Sequence, residues 1–363
     1  MTKELPPKLE SPEHHFGNGF EVSMLSSASE KHPTRNEDAA LLNTDAKLFG
    51  VLDGMGGHSS GDVASRLGKE YIEETFKKFP KNMSLEQTEE ALEAALEEAN
   101  KQILKQGNEN PDLAGMGTTA ALATIWEGKN GERKAVVAHI GDSRVYLMRS
   151  DGKLEQITED DSDADPKKIK SAHEKLVDQK MDPSELEPEE WGAFSQRNGI
   201  KQALGGWEMI PNIYAIDIRE GERLLITSDG IHDNLTDKEI EKILTENSNL
   251  QTATQELLKA SLTRSRMDRD IQPAAKQDDM SAIVIEIQRQ IKGRETPEIK
   301  EFKIGEKVLS PTREGKPMSG WKIASINKEK GSATLIPEHI EDPAEAEIRK
   351  EISLEELSKL NPQ

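Results

Sequence analysis

Cysteine is absent from this sequence of 363 residues, which removes disulfides, thiol nucleophiles and thiolate metal sites together. No apolar run approaches the ~20 residues of a membrane span. The opening, MTKELPPKLESPEHH, lacks the ~7–15-residue apolar core of a secretory signal. Positive charge is in deficit: 48 Lys and Arg stand against 68 Asp and Glu, a net charge of -20. So acidic a surface disfavours nucleic acid and membranes as partners, because both are bound through basic patches, and it suits the capture of cations. These absences predict a soluble, cytoplasmic protein. Three motifs are missing as well: a G-x-x-x-x-G-K-[ST] phosphate loop, a G-x-S-x-G nucleophile elbow and a His-x-x-x-His pair. The length suits one large core with an appendage.

What is present is organised around KLFGVLDGMGGHSSGDVASRL, Lys47 to Leu67. The apolar run Leu48-Phe49-Gly50-Val51-Leu52 predicts a buried strand that stops at Asp53-Gly54. A glycine-rich turn leads into a helix through Val63, Leu67, Tyr71 and Phe76. Asp-Gly on its own is an ordinary hairpin turn. Here a helix follows rather than a second strand, and the same arrangement returns further along. The strand Leu224–Thr227 ends at Asp229-Gly230, and Thr236 with Glu239 caps the next helix. Asn36-Glu37-Asp38 and Asp278-Asp279 each precede an apolar stretch, and Gly141-Asp142-Ser143 joins two strands. His139 lies inside one of these strands and reads as packing.

In chain order, residues 1–19 are polar and proline-rich and predict a disordered lead. Ser84 and Gln87 form a capping box that opens a helix with Leu92, Leu96, Ala99 and Ile103 on one face, closed by Gly107. Residues 159–198 are acidic, lysine-rich and broken by Pro166, Pro183 and Pro188, which predicts a mobile, partly helical flap. The main domain spans 20–290, residues 291–301 form a linker, and the short strands and glycine turns of 302–363 predict a small all-β module.

Acids thus recur at the edges of apolar strands: Glu37, Asp53, Asp142, Asp229 and Asp278. Gathered together they repel, and need bound cations or raised pKa values. Oxygen ligands without Cys favour Mg²⁺ or Mn²⁺ over Zn²⁺. Two such ions sharing an Asp can activate water and hold a phosphoryl oxygen. Hydrolysis of a phosphate ester is the chemistry that remains.

Six motifs occur in order: Asn36-Glu37-Asp38, Asp53-Gly54-Met55-Gly56-Gly57-His58, Gly117-Thr118-Thr119, Gly141-Asp142-Ser143-Arg144, Ser228-Asp229-Gly230 and Asp278-Asp279-Met280-Ser281. Together they resemble the bacterial-style, metal-dependent type 2C Ser/Thr protein phosphatases, over about Phe20 to Ile287. The resemblance implies an α+β fold, a four-layer αββα sandwich of two antiparallel sheets flanked by helices. It implies two Mn²⁺ or Mg²⁺ ions, with Asp53 bridging them, Asp229 and Asp278 completing one shell, and Glu37 and the Gly54 carbonyl serving the other. Asp142 with Asp229 would offer a third site. Asp38 would orient the attacking water, and Asn198 would sit where the flap returns.

Four departures stand out. Pro33 occupies the place of the family's phosphate-binding Arg, which leaves Arg35 as the nearest catalytic substitute. Thr158-Glu159-Asp160-Asp161-Ser162 lacks the family's His, and His58 is displaced from the eukaryotic general-acid position. Asp279 replaces a more usual Asn. The module after Ile299 loosely resembles a Src-homology-3-like barrel, with Trp321, Ile323 and Ile326 as its core; either a stabilising appendage without a ligand or a module that binds a protein partner is open. The implied substrates are phosphoproteins, with a protein kinase or its targets as partners. Two alternatives remain open: a pseudophosphatase acting as a regulatory binding module, and a phosphatase for small metabolites.

Overall fold

The computed structural model describes residues 9–56, 60–206 and 209–289, and the backbone of four strands within residues 307–353. The chain divides into two units, Met1–Gln290 and Ile291–Gln363.

The first unit begins with β1 (Glu13–Gly17), β2 (Phe20–Ser27), β3 (Asp38–Asn43) and β4 (Leu48–Met55). Helices α1 (Gly61–Phe76) and α2 (Leu85–Glu109) follow. Next come β5 (Gly117–Thr118), β6 (Ala120–Glu127), β7 (Arg133–Ile140), β8 (Arg144–Met148) and β9 (Leu154–Gln156). Two helices, α3 (Pro166–Val177) and α4 (Pro188–Ser195), precede β10 (Asn212–Asp217) and β11 (Arg223–Thr227). The unit closes with α5 (Asp229–His232), α6 (Asp237–Glu246), α7 (Leu250–Ser265) and β12 (Met280–Ile287).

The strands form two antiparallel sheets, one ordered β1-β2-β12-β11-β8-β9 and the other β10-β7-β6-β4-β3 with β5 attached to β4. Side chains alternate between faces along a strand, and here both faces are covered. Leu224, Ile226, Ile283 and Ile285 point into the core between the sheets, where Phe49 and Val51 meet them from β4. Leu225, Ala282 and Val284 point the other way, onto residues of α5 to α7. Leu48 and Leu52 pack likewise beneath α1 and α2. That is why these strands read as unbroken apolar runs. The layers are therefore helix, sheet, sheet, helix.

Local signals account for the helix ends. Ser84 and Thr236 both make the expected capping boxes, with Gln87 and Glu239. Gly107 does not close α2, which runs to Glu109 and ends at Asn110. The expectation of a disordered lead over 1–19 fails within the described residues. Glu13–Gly17 pairs with β2 as a hairpin, turning at Asn18-Gly19 with Gly19 at a φ of 83°. Asn-Gly is the strongest short hairpin signal. Further along, β4 does not stop at Asp53. It continues to Met55 by leaving β6 and pairing with β5, Gly54 opposite Thr118.

The flap carries a small core of its own, in which Ile169, Ala172, Leu176, Leu186 and Phe194 pack with Ala274. A bridge between Ser162 and Ile200 closes its base. In the second unit, β13 (Lys307–Pro311), β14 (Pro317–Asn327), β15 (Ser332–Pro337) and β16 (Lys350–Ser353) pair antiparallel in that order. The side chains expected as its core, Trp321, Ile323 and Ile326, lie outside the described residues.

Candidate metal centre

Asp38 opens β3, and Asp53 faces it directly across the strand pair. Like charges so placed repel. Burial pushes both carboxyls well above the usual range, and for Asp53 the charges of Asp38, Asp229 and Asp278 add to it. The backbone of Asp53 is held from the side by the Gly117-Thr118-Thr119 motif. Its N–H donates to Thr119 Oγ1 at 2.9 Å, and its carbonyl accepts from Thr119 N and Thr118 Oγ1, each at 2.9 Å.

Thr119 Oγ1 also lies 2.7 Å from Ser143 Oγ, which couples this clamp to the turn carrying Asp142. Gly141 in that turn has a φ of 97°, and a Cβ there would come within 2.7 Å of Thr119. Glycine is required on both counts. Its N–H donates to Asp161 Oδ2 at 2.9 Å, while Asp160 pairs with Arg144 at 2.6 Å. These two acids give the His-less run after Thr158 a structural role. Burial, and after it the charge of Asp229, raises the Asp142 carboxyl well above its ordinary value.

Ser228 ties the two sheets together at this end. Its N–H donates to the Ser281 carbonyl at 3.1 Å, and its Oγ accepts from Ser281 N at 3.0 Å and donates to Asp38 Oδ2 at 2.7 Å. The Glu37 loop is stapled by Asp279, whose two oxygens accept from Ser29 N and Glu37 N, each at 2.6 Å. Gly54 donates to the Glu37 carbonyl at 3.0 Å. A Cβ on Gly61 would sit 2.8 Å from the Gly54 carbonyl oxygen and 3.1 Å from Glu37 Oε1. Those two oxygens converge on a space that only glycine leaves open.

Arg35 reaches this loop, with Nη2 3.1 Å from Glu37 Oε1. Burial raises the Glu37 carboxyl and Arg35 opposes that rise. His32, Glu37 and Asp279 present possible ligand atoms within 4.8 Å of one another. The His32 ring is already engaged, however, with Nδ1 2.8 Å from the Arg35 carbonyl.

Two charged residues that sequence reasoning passed over sit among the acids. Lys276 hydrogen-bonds Asp229 and lies 3.2 Å from Asp278 and 3.4 Å from Asp233. Burial disfavours its charge, but Asp229, Asp233 and Asp278 outweigh burial and raise its pKa well above normal. Burial would likewise raise Asp233, yet Lys276 and Arg197 hold it below the carboxylate range. At Asp229 burial wins, and the carboxyl is pushed up to about 6 despite Lys276. Its place two residues before Asp278 was the one available sequence signal for Lys276.

Glu37, Asp38, Asp53, Gly54, Asp142, Asp229 and Asp278 thus lie on loops and strand ends that the hydrogen bonds above knit together. Asn198 is exposed at the flap's return, His139 is fully buried within β7, and His58 lies outside the described residues. Whether the acids suit a metal is tested by their unused oxygens. Asp38 Oδ1 and Asp229 Oδ1 are buried without a hydrogen-bond partner, and Glu37 Oε1, also buried, has the Arg35 ion pair but no well-aligned hydrogen bond. Buried acceptors are normally satisfied, and an oxygen-only set fits a hard divalent cation.

Two stacked antiparallel sheets with carboxylates where they meet define a class of α+β scaffold. Residues 28–265 match the model of protein phosphatase 2C, and the chain belongs to that family. Serine/threonine protein phosphatase PstP of Mycobacterium tuberculosis is 37% identical over 205 residues, covering 56% of this chain and 35% of that protein. The chain therefore spans about a third of the length of this curated relative. Protein phosphatase PhpP of Streptococcus pneumoniae is 29% identical over 258 residues, 69% of this chain and 94% of its own length. The crystal structure of PstP from Mycobacterium tuberculosis superposes with a TM-score of 0.57 at 28% identity, covering 74% of this chain and 99% of that one. A PstP catalytic domain in complex with 2 manganese ions gives 0.56 at 28% identity, with the same coverage of 74% and 99%.

Proposed function

We propose that this chain is a metal-dependent Ser/Thr protein phosphatase that hydrolyses phosphoserine and phosphothreonine in proteins. The observation that carries the reading is the gathering of carboxylates in which buried oxygens of Asp38 and Asp229 lack hydrogen bonds and that of Glu37 has only the Arg35 ion pair. Asp53, Asp229 and Asp278 would hold one divalent ion, and Asp53, Glu37 and the Gly54 carbonyl a second, with Asp142 and Asp229 available to a third. Such ions, Mn²⁺ or Mg²⁺, supply a polarised phosphoryl group and a nucleophilic water at neutral pH.

The chain's own groups do the rest. Ser228 pins Asp38 Oδ2 and leaves Oδ1 free, so Asp38 can orient the attacking water and take its proton. Arg35, held at the Glu37 loop, supplies a guanidinium fork for the phosphate dianion. The phosphorus accepts the water oxygen as its bond to the Ser or Thr oxygen breaks, and that oxygen takes up a proton, from Asp38 or from solvent, and leaves as the alcohol.

We read 20–290 as the phosphatase domain with its flap at 159–198, joined by residues 291–301 to a Src-homology-3-like barrel that binds a protein partner. Phosphoproteins, a protein kinase or its targets are the partners this implies, in the cytoplasm. No helix among the described residues is long and apolar enough to cross a membrane. A pseudophosphatase is the competing reading, favoured by the lysine ammonium among the acids. Phosphate release from a phosphothreonine peptide separates the two. Turnover with Mn²⁺ that chelator abolishes is expected, and no turnover at any Mn²⁺ concentration would favour the regulatory module.

A further inference from the structure

Lys276 lies in the connection between α7 and β12, two residues before Asp278, and is only 6% exposed. It is not a surface lysine folded inward by chance. Its backbone is clamped from both sides by Asn234, whose Oδ1 accepts from Lys276 N at 3.1 Å and whose Nδ2 donates to the Lys276 carbonyl at 2.8 Å. Asn234 is itself fully buried, with Nδ2 also donating to the Gly230 carbonyl at 2.8 Å. The clamp therefore fixes Lys276 relative to the segment that carries Asp229. The ammonium then meets three carboxylates: it donates to Asp229 and lies 3.2 Å from Asp278 and 3.4 Å from Asp233.

Asp229 and Asp278 are also the pair assigned above to a divalent ion. An ammonium and a divalent cation seek the same oxygens, and they repel each other when brought to one carboxylate. Asp233 offers the ammonium an alternative anion close by, and it is anchored by Arg197 Nε at 3.3 Å.

We propose that Lys276 is a resident cation of the acid cluster, holding Asp229 and Asp278 together without metal, so that a divalent ion loads there only by displacing its ammonium. This rests on the reading of Asp229 and Asp278 as metal-binding. Its consequence is a centre that is stable when empty and that loads only above a threshold of free metal.

Two measurements test it. In the native full-length chain, acylation of Lys276 by an N-hydroxysuccinimide ester, followed by peptide mass spectrometry, should be slow without metal and several-fold faster with saturating Mn²⁺. Equal rates overturn the displacement. In Lys276→Met, calorimetry should show Mn²⁺ binding about tenfold tighter or more, because the ammonium no longer occupies the competent state. The metal-free variant should also melt about 5 °C or more lower, its acids having lost their counter-ion, and regain this with Mn²⁺. Equal Mn²⁺ affinity of the parent and Lys276→Met overturns the proposal and leaves the metal reading standing. Absence of Mn²⁺ binding by either overturns both. The acylation arm needs no variant and decides the matter if Lys276→Met does not fold.

Discussion

Asp279 stands where the resemblance seen in the sequence implies Asn, and its contacts explain what the acid adds. Both oxygens accept a backbone N–H, from Ser29 and Glu37 at 2.6 Å each. An amide would turn one oxygen into a donor facing a donor. Asp279→Asn should therefore destabilise the folded state by about 1–3 kcal/mol, read as a lower denaturant midpoint at unchanged slope. An unchanged midpoint would mean that the loop re-forms its bonds elsewhere. Arg35 is the second residue at which the sequence departs from the pattern the resemblance implies. Losing a charge-assisted hydrogen bond costs roughly 1.5–3 kcal/mol, so Arg35→Ala should lower kcat/KM by about ten- to a hundredfold. Kinetics within about twofold of the parent would remove Arg35 from the site.

The acids were legible at this scale because each sits at an edge of an apolar run, a pattern visible in the chain itself. Lys276 and Asp233 were not. Their roles arise only when the α7–β12 connection is laid against the end of β11, and no local pattern encodes that approach.

Among elements, the strands buried on both faces were the easiest to read, since helices cover what the opposite sheet does not. The two capping boxes were equally plain, because each is a contact between residues three apart. The flap was harder. Its prolines and charges predict a mobile surface segment, but Ile169, Leu176 and Phe194 find one another and Ala274. Within it, His173 lies under the Phe194 ring, their centroids 6.0 Å apart.

Burial is the main cause that pushes the His173 imidazole down to about 4, the charge of Asp233 opposing it. A base with a depressed folded pKa stabilises the fold above its unfolded value, about 6.5. That contribution is lost as pH falls from about 6.5 towards 4, because the unfolded chain takes up the proton first. An imidazole titration by NMR should find His173 neutral down to about pH 4. A midpoint near 6.5 would contradict the flap packing described here.

On the scale of the whole molecule, the centre exists because the ends of two sheets are brought together. Asp38 and Asp53 come from one, Asp229 and Asp278 flank strands of the other, and the Ser228 hydroxyl joins them at 2.7 Å from Asp38 Oδ2. The turn carrying Asp142 links β7 in one sheet to β8 in the other. The motif order was legible in the sequence, but the crossing from sheet to sheet was not. A strand–turn–strand reads alike whether its strands pair or diverge.

The most direct test of this account is the substitution Asp53→Asn, followed by Mn²⁺ binding, phosphate release and melting of the metal-free protein. Asp53 is held above its usual pKa by burial and by Asp38, Asp229 and Asp278. A carboxyl so raised costs stability once pH exceeds its unfolded value, so a neutral amide should leave the metal-free melting temperature unchanged or higher. Mn²⁺ binding should weaken sharply, and Mn²⁺-dependent phosphate release should fall about a hundredfold or more. Retention of most of that activity by Asp53→Asn would contradict the metal centre.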